Sequence, residues 1–410
     1  MKFQPPKGTR DFMPEDAARF QGVWSVVADV FERYGFRPLY TPAFESLDLL
    51  MAKGGLGEAV KEEVYYFRDK SDRELGLRFD LTMPFARVVA SNPQMPKPFK
   101  RYTIDRVWRY DNPQAMRWRE FWQADIDTVG SKSRTADAEI ISAACECLER
   151  LGFKDYYIRV NSRKFLDDKI GRSVPKEKIP QVFRILDKLD KIGEKEVVAE
   201  LKKIGCDTKD VLDVIDNKEI AEKDEEIQEL LDCLKDFGFE KRVRVDASLV
   251  RGLDYYTGLV FEVFLGSKVS CGGGGRYDNL IGKIGGQPTD AVGISLGIDR
   301  IMEAMKEQKI FSGNVSGTKI FVANVDDSVR SEVIGVAQRL RSEGISCQTN
   351  LTDRYLSKQL EFANSQGIQY VVIVGKEEIK MKRFKLRDMK ANTQKELGID
   401  AIVSMFKSAQ

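Results

Sequence analysis

Histidine is absent from all 410 residues. That single absence excludes a histidine general base, a Ser-His-Asp triad and imidazole metal ligands. Cysteine is sparse: six residues, at 145, 147, 206, 233, 271 and 347, with no C-x-x-C pair. A thiolate zinc site and a disulfide framework are therefore not expected, and a reducing cytoplasm is. Cys145 and Cys147, two apart, fall on different faces of the helix predicted around them. No apolar run is long enough to span a bilayer, so no membrane partner is expected. The start, Met1-Lys2-Phe3-Gln4-Pro5-Pro6-Lys7-Gly8, lacks the apolar core of a secretory signal. Charge of one sign is also missing. Sixty-six Lys and Arg face 64 Asp and Glu, a net of +2, so any nucleic acid must be held by local patches rather than bulk charge. Neither G-x-x-x-x-G-K-[ST] nor a strand–G-x-G-x-x-G–helix occurs, which excludes a Walker loop and a Rossmann site. There is no internal repeat and no low-complexity tract.

A chain of this length holds two or three domains. After the turn-rich entry Lys7 to Phe12, Val23, Val26, Val27, Val30 and Phe31 recur at helical spacing, which predicts a helix over 16–34. Gly35 suits its C-cap, and Phe36 to Pro42 reads as extended. Residues 64–67 and 75–79 read as strands around a charged turn. A helix follows from Pro84 to about Ala90. Arg101–Tyr110 alternates as a strand, Asn112-Pro113-Gln114 breaks it, and Arg117–Asp127 resumes. A helix is predicted over 135–151 and a strand over 156–160. Residues 163–241 are dense in Lys, Asp and Glu, with apolar residues at helical spacing, and predict a helical insertion. Strands return at 243–245 and 259–265, with a helix near 299–307. Residues 312–317 read as a linker. Beyond it, strands at 320–325, 345–349 and 370–374 alternate with helices at 328–342 and 355–366, a small α/β domain. Seven basic residues face three acidic ones between Lys376 and Lys390. That excess suits either phosphate contact or a solvated hairpin.

The densest stretch is Leu249-Val250-Arg251-Gly252-Leu253-Asp254-Tyr255-Tyr256-Thr257-Gly258. One cation, two phenols and a carboxylate crowd the start of a strand, which a plain core strand would not favour. Downstream lies Cys271-Gly272-Gly273-Gly274-Gly275-Arg276-Tyr277-Asp278, where glycines let a ligand or a strand approach the backbone.

These two stretches resemble the R-G-L-D-Y-Y and glycine-rich motifs of histidyl-tRNA synthetases. The helix and strand ending at Pro42 resemble motif 1 of class II aminoacyl-tRNA synthetases, the strand–basic loop–strand over 101–127 resembles motif 2, and Leu296-Gly297-Ile298-Asp299-Arg300 resembles motif 3. The resemblance implies an α+β fold: a class II antiparallel sheet flanked by helices, with a helical insertion and a C-terminal α/β anticodon-binding domain. It divides the chain into a catalytic core at 1–162 and 242–312, an insertion at 163–241 and an anticodon-binding domain at 318–410.

By the same resemblance the reaction is ATP-dependent ligation of L-histidine to its tRNA through a histidyl-adenylate, in a cytoplasmic homodimer, with Mg²⁺ accompanying ATP. The attacking group is the amino acid's own carboxylate, so the protein must supply position and cations rather than a base. Arg109 and Arg251 correspond to the catalytic arginines at the α-phosphate and the reacting carboxylate, and Arg300 to the one at the outer phosphates; a planar, always charged guanidinium suits these tasks. Asp80, Thr82 and Gln123 match the positions that take the α-ammonium. Asp127 and Tyr256 match those that take the imidazole nitrogens, with Tyr255 and Tyr277 beside them. Asp127 stands where many bacterial members carry Glu. Arg117, Trp118 and Arg119 correspond to a tRNA acceptor contact, with Trp118 in place of the usual Tyr. No protein-only metal site is expected. Two other readings stay open: a non-catalytic paralogue, either a regulatory subunit in histidine biosynthesis or a tRNA sensor, and a class II synthetase for another amino acid. Arg251 discriminates the first, and Asp127 with Tyr256 argues against the second.

Overall fold

The computed structural model describes residues 3–52, 62–112, 117–250, 255–266, 269–311 and 317–407. Arg251 to Asp254, the linker stretch 312–316 and the Pro113-Gln114 break lie outside the described residues. Two compact units divide the chain, one of residues 1–11 and 20–311, the other of residues 12–19 and 312–410.

The first unit is built on an eight-stranded sheet. Its strands are β1 (Arg37–Pro38), β5 (Phe99–Trp108), β6 (Glu120–Val129), β7 (Tyr156–Ser162), β8 (Val243–Val245), β9 (Leu259–Leu265), β10 (Val269–Arg276) and β11 (Ala291–Gly297). The order is β1-β5-β6-β11-β10-β9-β7-β8, antiparallel throughout except for the outer pairs β1–β5 and β7–β8. A three-stranded sheet of β2 (Phe44–Ser46), β4 (Glu74–Leu77) and β3 (Tyr66–Arg68) lies in the same unit.

Local chemistry accounts for the helices. Pro14–Arg33 opens on Glu15 and Asp16, closes on Arg33, and is followed by Gly35 at φ 78°, a left-handed conformation that glycine adopts without strain. Thr82–Ser91 begins beneath Asp80, whose Oδ1 accepts from the backbone N–H of Thr82 at 3.1 Å and of Met83 at 2.9 Å. Arg134–Arg150 packs on β11 and against the helix Glu225–Phe237, so both of its faces are covered. Cys145 and Cys147 are accordingly both fully buried although they point to different faces. Burial pushes the Cys145 thiol up to about 12. All six cysteines are free. Short helices run from Arg163–Ile170 to Glu225–Phe237, with Ser162, Asp207, Asn217 and Asp224 as side-chain caps. Glu226 ties this region to the sheet, accepting from Arg134 Nη2 at 2.6 Å, Lys164 Nζ at 2.7 Å and Ser162 Oγ at 3.0 Å.

The glycine run is not a loop. Residues 272–275 are the middle of β10, paired on one side with β9 and on the other with β11. Propensity alone would not make four glycines a strand. The neighbouring backbones do, because a Cβ on Gly274 would stand 2.1 Å from Gly293 O and one on Gly275 would stand 2.5 Å from Leu259 O. The sequence reading also gives no strand at β11, taking Leu296-Gly297 only as the lead into the following helix.

The second unit is an α/β layer. Its sheet has the order β13 (Cys347–Thr349), β12 (Ile320–Asn324), β14 (Tyr370–Val374), β15 (Phe384–Asp388), β16 (Thr393–Leu397). The first three strands are parallel, and β15 and β16 continue as an antiparallel hairpin. The basic stretch spans the helix Lys376–Met381 and β15. There Lys385 pairs with Glu378 at 2.6 Å, and Arg383 donates to Glu396 O at 2.8 Å. No helix among the described residues is long and apolar enough to cross a membrane.

Candidate active site

A cleft of about 380 Å³ opens on the sheet of the first unit, within the range of small-molecule sites. Its floor is the glycine run of β10 with Gly293 of β11, where missing side chains leave the backbone within reach of a ligand.

One wall is anionic. Strand β6 presents Gln123, Asp125 and Asp127 to the cleft at two-residue spacing. Register sets Asp127 opposite Arg101 of β5 and Gly293 of β11. Arg101 is fully buried, and its Nη2 lies 2.6 Å from Asp127 Oδ2, a contact of opposite charges rather than an aligned hydrogen bond. Tyr277 donates its hydroxyl to Asp127 Oδ1 at 2.5 Å. Gly293 is what makes room: a Cβ there would stand 2.0 Å from Asp127 Oδ1. Asp80 and Thr82 reach the cleft from the start of the helix Thr82–Ser91. Tyr255 and Tyr256 complete this side, their rings 4.2 Å apart, with Tyr277 6.2 Å from Tyr255. Burial first, then neighbouring carboxylates, raise the Tyr255 and Tyr277 hydroxyls, which keeps both protonated and able to donate.

The other wall is cationic. Arg109 follows β5; its Nε donates to Phe79 O at 3.0 Å and its guanidinium lies 5.2 Å from the Phe121 ring. Arg300 sits in the first turn of Ile298–Glu307, and its Nη1 donates to Ser270 O at 2.6 Å. Both line the cleft, as do Arg117 and Trp118. Arg119 does not: its Nε donates to Asp111 O at 3.0 Å, and its guanidinium lies over Tyr110 at 4.4 Å. Trp118 lies under the Arg10 guanidinium at 4.5 Å, and Arg10 also pairs with Asp299 and Glu303. The cleft thus gathers Asp80, Thr82, Arg109, Gln123, Asp127, Tyr255, Tyr256, Tyr277 and Arg300. Arg251 lies outside the described residues.

Sequence reasoning missed two residues of the anionic wall. Arg101 carries no local signal, because only the β5–β6 register brings it to Asp127. Asp125 did carry one: it is the middle of three polar residues at period two, alternating with the apolar Ala124 and Ile126. Asp125 is 3% exposed, and burial, opposed by Arg101 and reinforced by Asp127 and Asp80, pushes its carboxyl up to about 7.

A family model described as histidyl-tRNA synthetase matches residues 8–301, and one described as an anticodon binding domain matches residues 319–409. The chain is 39% identical to a histidine–tRNA ligase of Nanoarchaeum equitans, with 97% of each chain covered. It is 34% identical to a histidine–tRNA ligase of Pyrococcus horikoshii, with 98% of each covered. Among solved structures, the histidyl-tRNA synthetase of Nostoc sp. PCC 7120 superposes with a TM-score of 0.85 at 28% identity, covering both chains in full. An antiparallel sheet carrying carboxylates and arginines around one cleft, a separate α/β unit, and these likenesses over nearly the whole length lead to one conclusion: the chain belongs to the histidyl-tRNA synthetase family.

Proposed function

We infer that the chain joins histidine to its tRNA in two steps driven by ATP. A carboxylate oxygen of histidine attacks the α-phosphorus, pyrophosphate leaves, and histidyl-adenylate forms. A hydroxyl of the terminal ribose of the tRNA then attacks the acyl carbon, and AMP leaves. The first nucleophile is already an anion and needs no general base, which suits a chain without histidine. One observation carries the assignment: a single cavity holds the carboxylates Asp80 and Asp127 together with the guanidiniums Arg109 and Arg300 over a glycine floor. Ligase relatives matching nearly the full length, second unit included, disfavour the regulatory paralogue.

The amino acid would sit on the anionic wall. Asp80, steadied by two backbone N–H groups, takes the α-ammonium with Thr82 and Gln123. Asp127 and Tyr256 take the two imidazole nitrogens, with Asp127 steadied by Arg101 and by Tyr277 and with Tyr255 packed alongside. Arg109 and Arg251 hold the α-phosphate and the reacting carboxylate, and Arg300 the outer phosphates, meeting charge that grows on phosphate oxygens in the transition state. Asp111, the cleft carboxylate two residues after Arg109, would help hold the Mg²⁺ that accompanies ATP. Burial and then Asp111 raise the nearby Glu63 carboxyl against the pull of Arg109. When bound, the ion offsets phosphate charge as pyrophosphate departs.

Arg117, Trp118 and Arg119 meet the acceptor end of the tRNA. Residues 318–410 contact its anticodon region, and the insertion at 163–241 stands between the two parts of the catalytic core, 1–162 and 242–312. The working form is a cytoplasmic homodimer paired through the first helix and strand. ATP–pyrophosphate exchange with each amino acid in turn tests the assignment. Exchange should require histidine, and Arg251→Ala should lower it by about 10²–10³-fold with the circular dichroism unchanged, the cost of removing one transition-state charge contact. Folded protein that exchanges with no amino acid would point to the regulatory subunit instead.

A further inference from the structure

Asp125 lies between the two β6 residues already given to histidine, yet it has no part in the steps above. Its Oδ1 is buried without a hydrogen-bond partner among the described residues. Register puts Thr103 of β5 on one side of it and Ser295 of β11 on the other, neutral hydroxyls both. The groups that act on it are Arg101 from β5, Asp127 from its own strand, the Ser295 hydroxyl from β11, which favours the ionised form, and Asp80 from the start of the helix Thr82–Ser91, with the phenol of Tyr255 close enough to sense all three carboxylates. Tyr277, just after β10, is committed to Asp127. Arg101 is the cation among these, and it too is paired with Asp127. A buried carboxylate oxygen that lines the cleft, with no hydrogen-bond donor among the described residues, is placed to accept from a cationic group of the ligand.

We propose that Asp125 is a further substrate-binding residue of this site, a third carboxylate that releases a proton to solvent when the primary ammonium of the amino acid enters. The proposal rests on the histidine-site assignment above. Before the substrate enters, Asp125 holds its proton below about neutral pH, because an ionised carboxylate there would be buried among like charges. The incoming ammonium brings a cation to this oxygen, the O–H bond of Asp125 breaks, the proton passes to buffer, and the carboxylate accepts an N–H of the substrate. With half-protonation near neutrality, binding should release about 0.9 proton at pH 6, about 0.5 at pH 7 and about 0.1 at pH 8 from this residue.

Titration calorimetry of L-histidine into the full chain, in phosphate and in Tris at matched pH, counts the protons. The substrate's imidazole contributes equally to wild type and Asp125→Asn, so the difference between them isolates Asp125. The expected difference follows the series above. The affinity deficit of Asp125→Asn should reach about 10-fold at pH 8 and shrink toward pH 6, where wild type must first lose its proton. A merely structural residue would move affinity without moving the proton count. On wild type alone, infrared difference spectra should show a protonated-carboxyl band vanishing when histidine is added at pH 6. Histidine binding with equal proton counts in both proteins, or an unchanged carboxyl band, overturns the role of Asp125 and leaves the site assignment standing. No histidine binding to wild type overturns both.

Discussion

Arg101→Met tests whether the anionic wall is held by a single buried cation. Arg101 is 0% exposed, its Nη2 lies 2.6 Å from Asp127 Oδ2 and donates to Leu81 O at 3.2 Å, and its guanidinium stacks 4.4 Å from the Phe85 ring. Met keeps the length and apolar contact but removes the charge. Asp127 then stays buried beside Asp125 without that guanidinium, and breaking one side of a buried pair costs about 3–5 kcal/mol. With a urea m-value of about 3 kcal/mol/M, the transition midpoint falls by about 1–1.7 M. The assay is selective, because all four tryptophans, Trp24, Trp108, Trp118 and Trp122, lie in the first unit and report its unfolding alone. Adding Asp127→Asn to Arg101→Met should recover part of the loss, since the stranded charge is gone. The reasoning is refuted if Arg101→Met shifts the midpoint by less than about 0.3 M, or if the double variant is less stable than the sum of the single changes.

Three further outcomes are expected. Gly293→Ala puts a Cβ 2.0 Å from Asp127 Oδ1. At an overpacking cost of about 1–3 kcal/mol, the KM for histidine in the exchange assay should rise about 10-fold while that for ATP holds, and an unchanged histidine KM counts against the placement of Asp127. Arg10→Ala removes a guanidinium that joins Trp118 to Asp299 and Glu303, while Asp299 also accepts from Trp122 N at 2.6 Å. Losing one charge-assisted contact of about 1.5 kcal/mol should raise the ATP KM about 10-fold, through the helix that carries Arg300, with the histidine KM nearly constant. Stability should also depend on Asp125. Its folded-state carboxyl is raised from 3.8 to about 7, so the folded protein holds the extra proton between those values and loses stability as pH rises through them, by up to about 4 kcal/mol. Asp125→Asn escapes that loss, and its melting-temperature advantage over wild type, read by tryptophan fluorescence, should grow from pH 5 to pH 8. A constant difference would contradict the shift.

Much of the scaffold was legible because periodicity and punctuation are local. Valines at helical spacing and Gly35 located the first helix to within two residues of Pro14–Arg33, and the 259–265 strand was located to the residue. The pairing of Asp80 with a following helix, and the arginines after β5 and after β11, could be read from spacing joined to family resemblance. The glycine strand β10 could not, since isolated glycine disfavours a strand and only the flanking backbones 2.1–2.5 Å from any added Cβ make it one. Nor could β11, whose small residues give no strong alternation.

The sequence by itself determined which chemistry was possible: no imidazole, abundant guanidinium and carboxylate, phenols beside a strand, and a glycine run outside any nucleotide-binding loop. The tertiary structure decided which of those groups meet. Arg101 reaches Asp127 from 26 positions away in the chain only because β5 and β6 pair in that register, and a slip of one residue would turn Gln123, Asp125 and Asp127 to the opposite face. The same packing buries Asp125 among carboxylates and sets its proton affinity. A side chain's charge is written in the sequence, but its dielectric surroundings and its partners come from residues that are neighbours only in the fold.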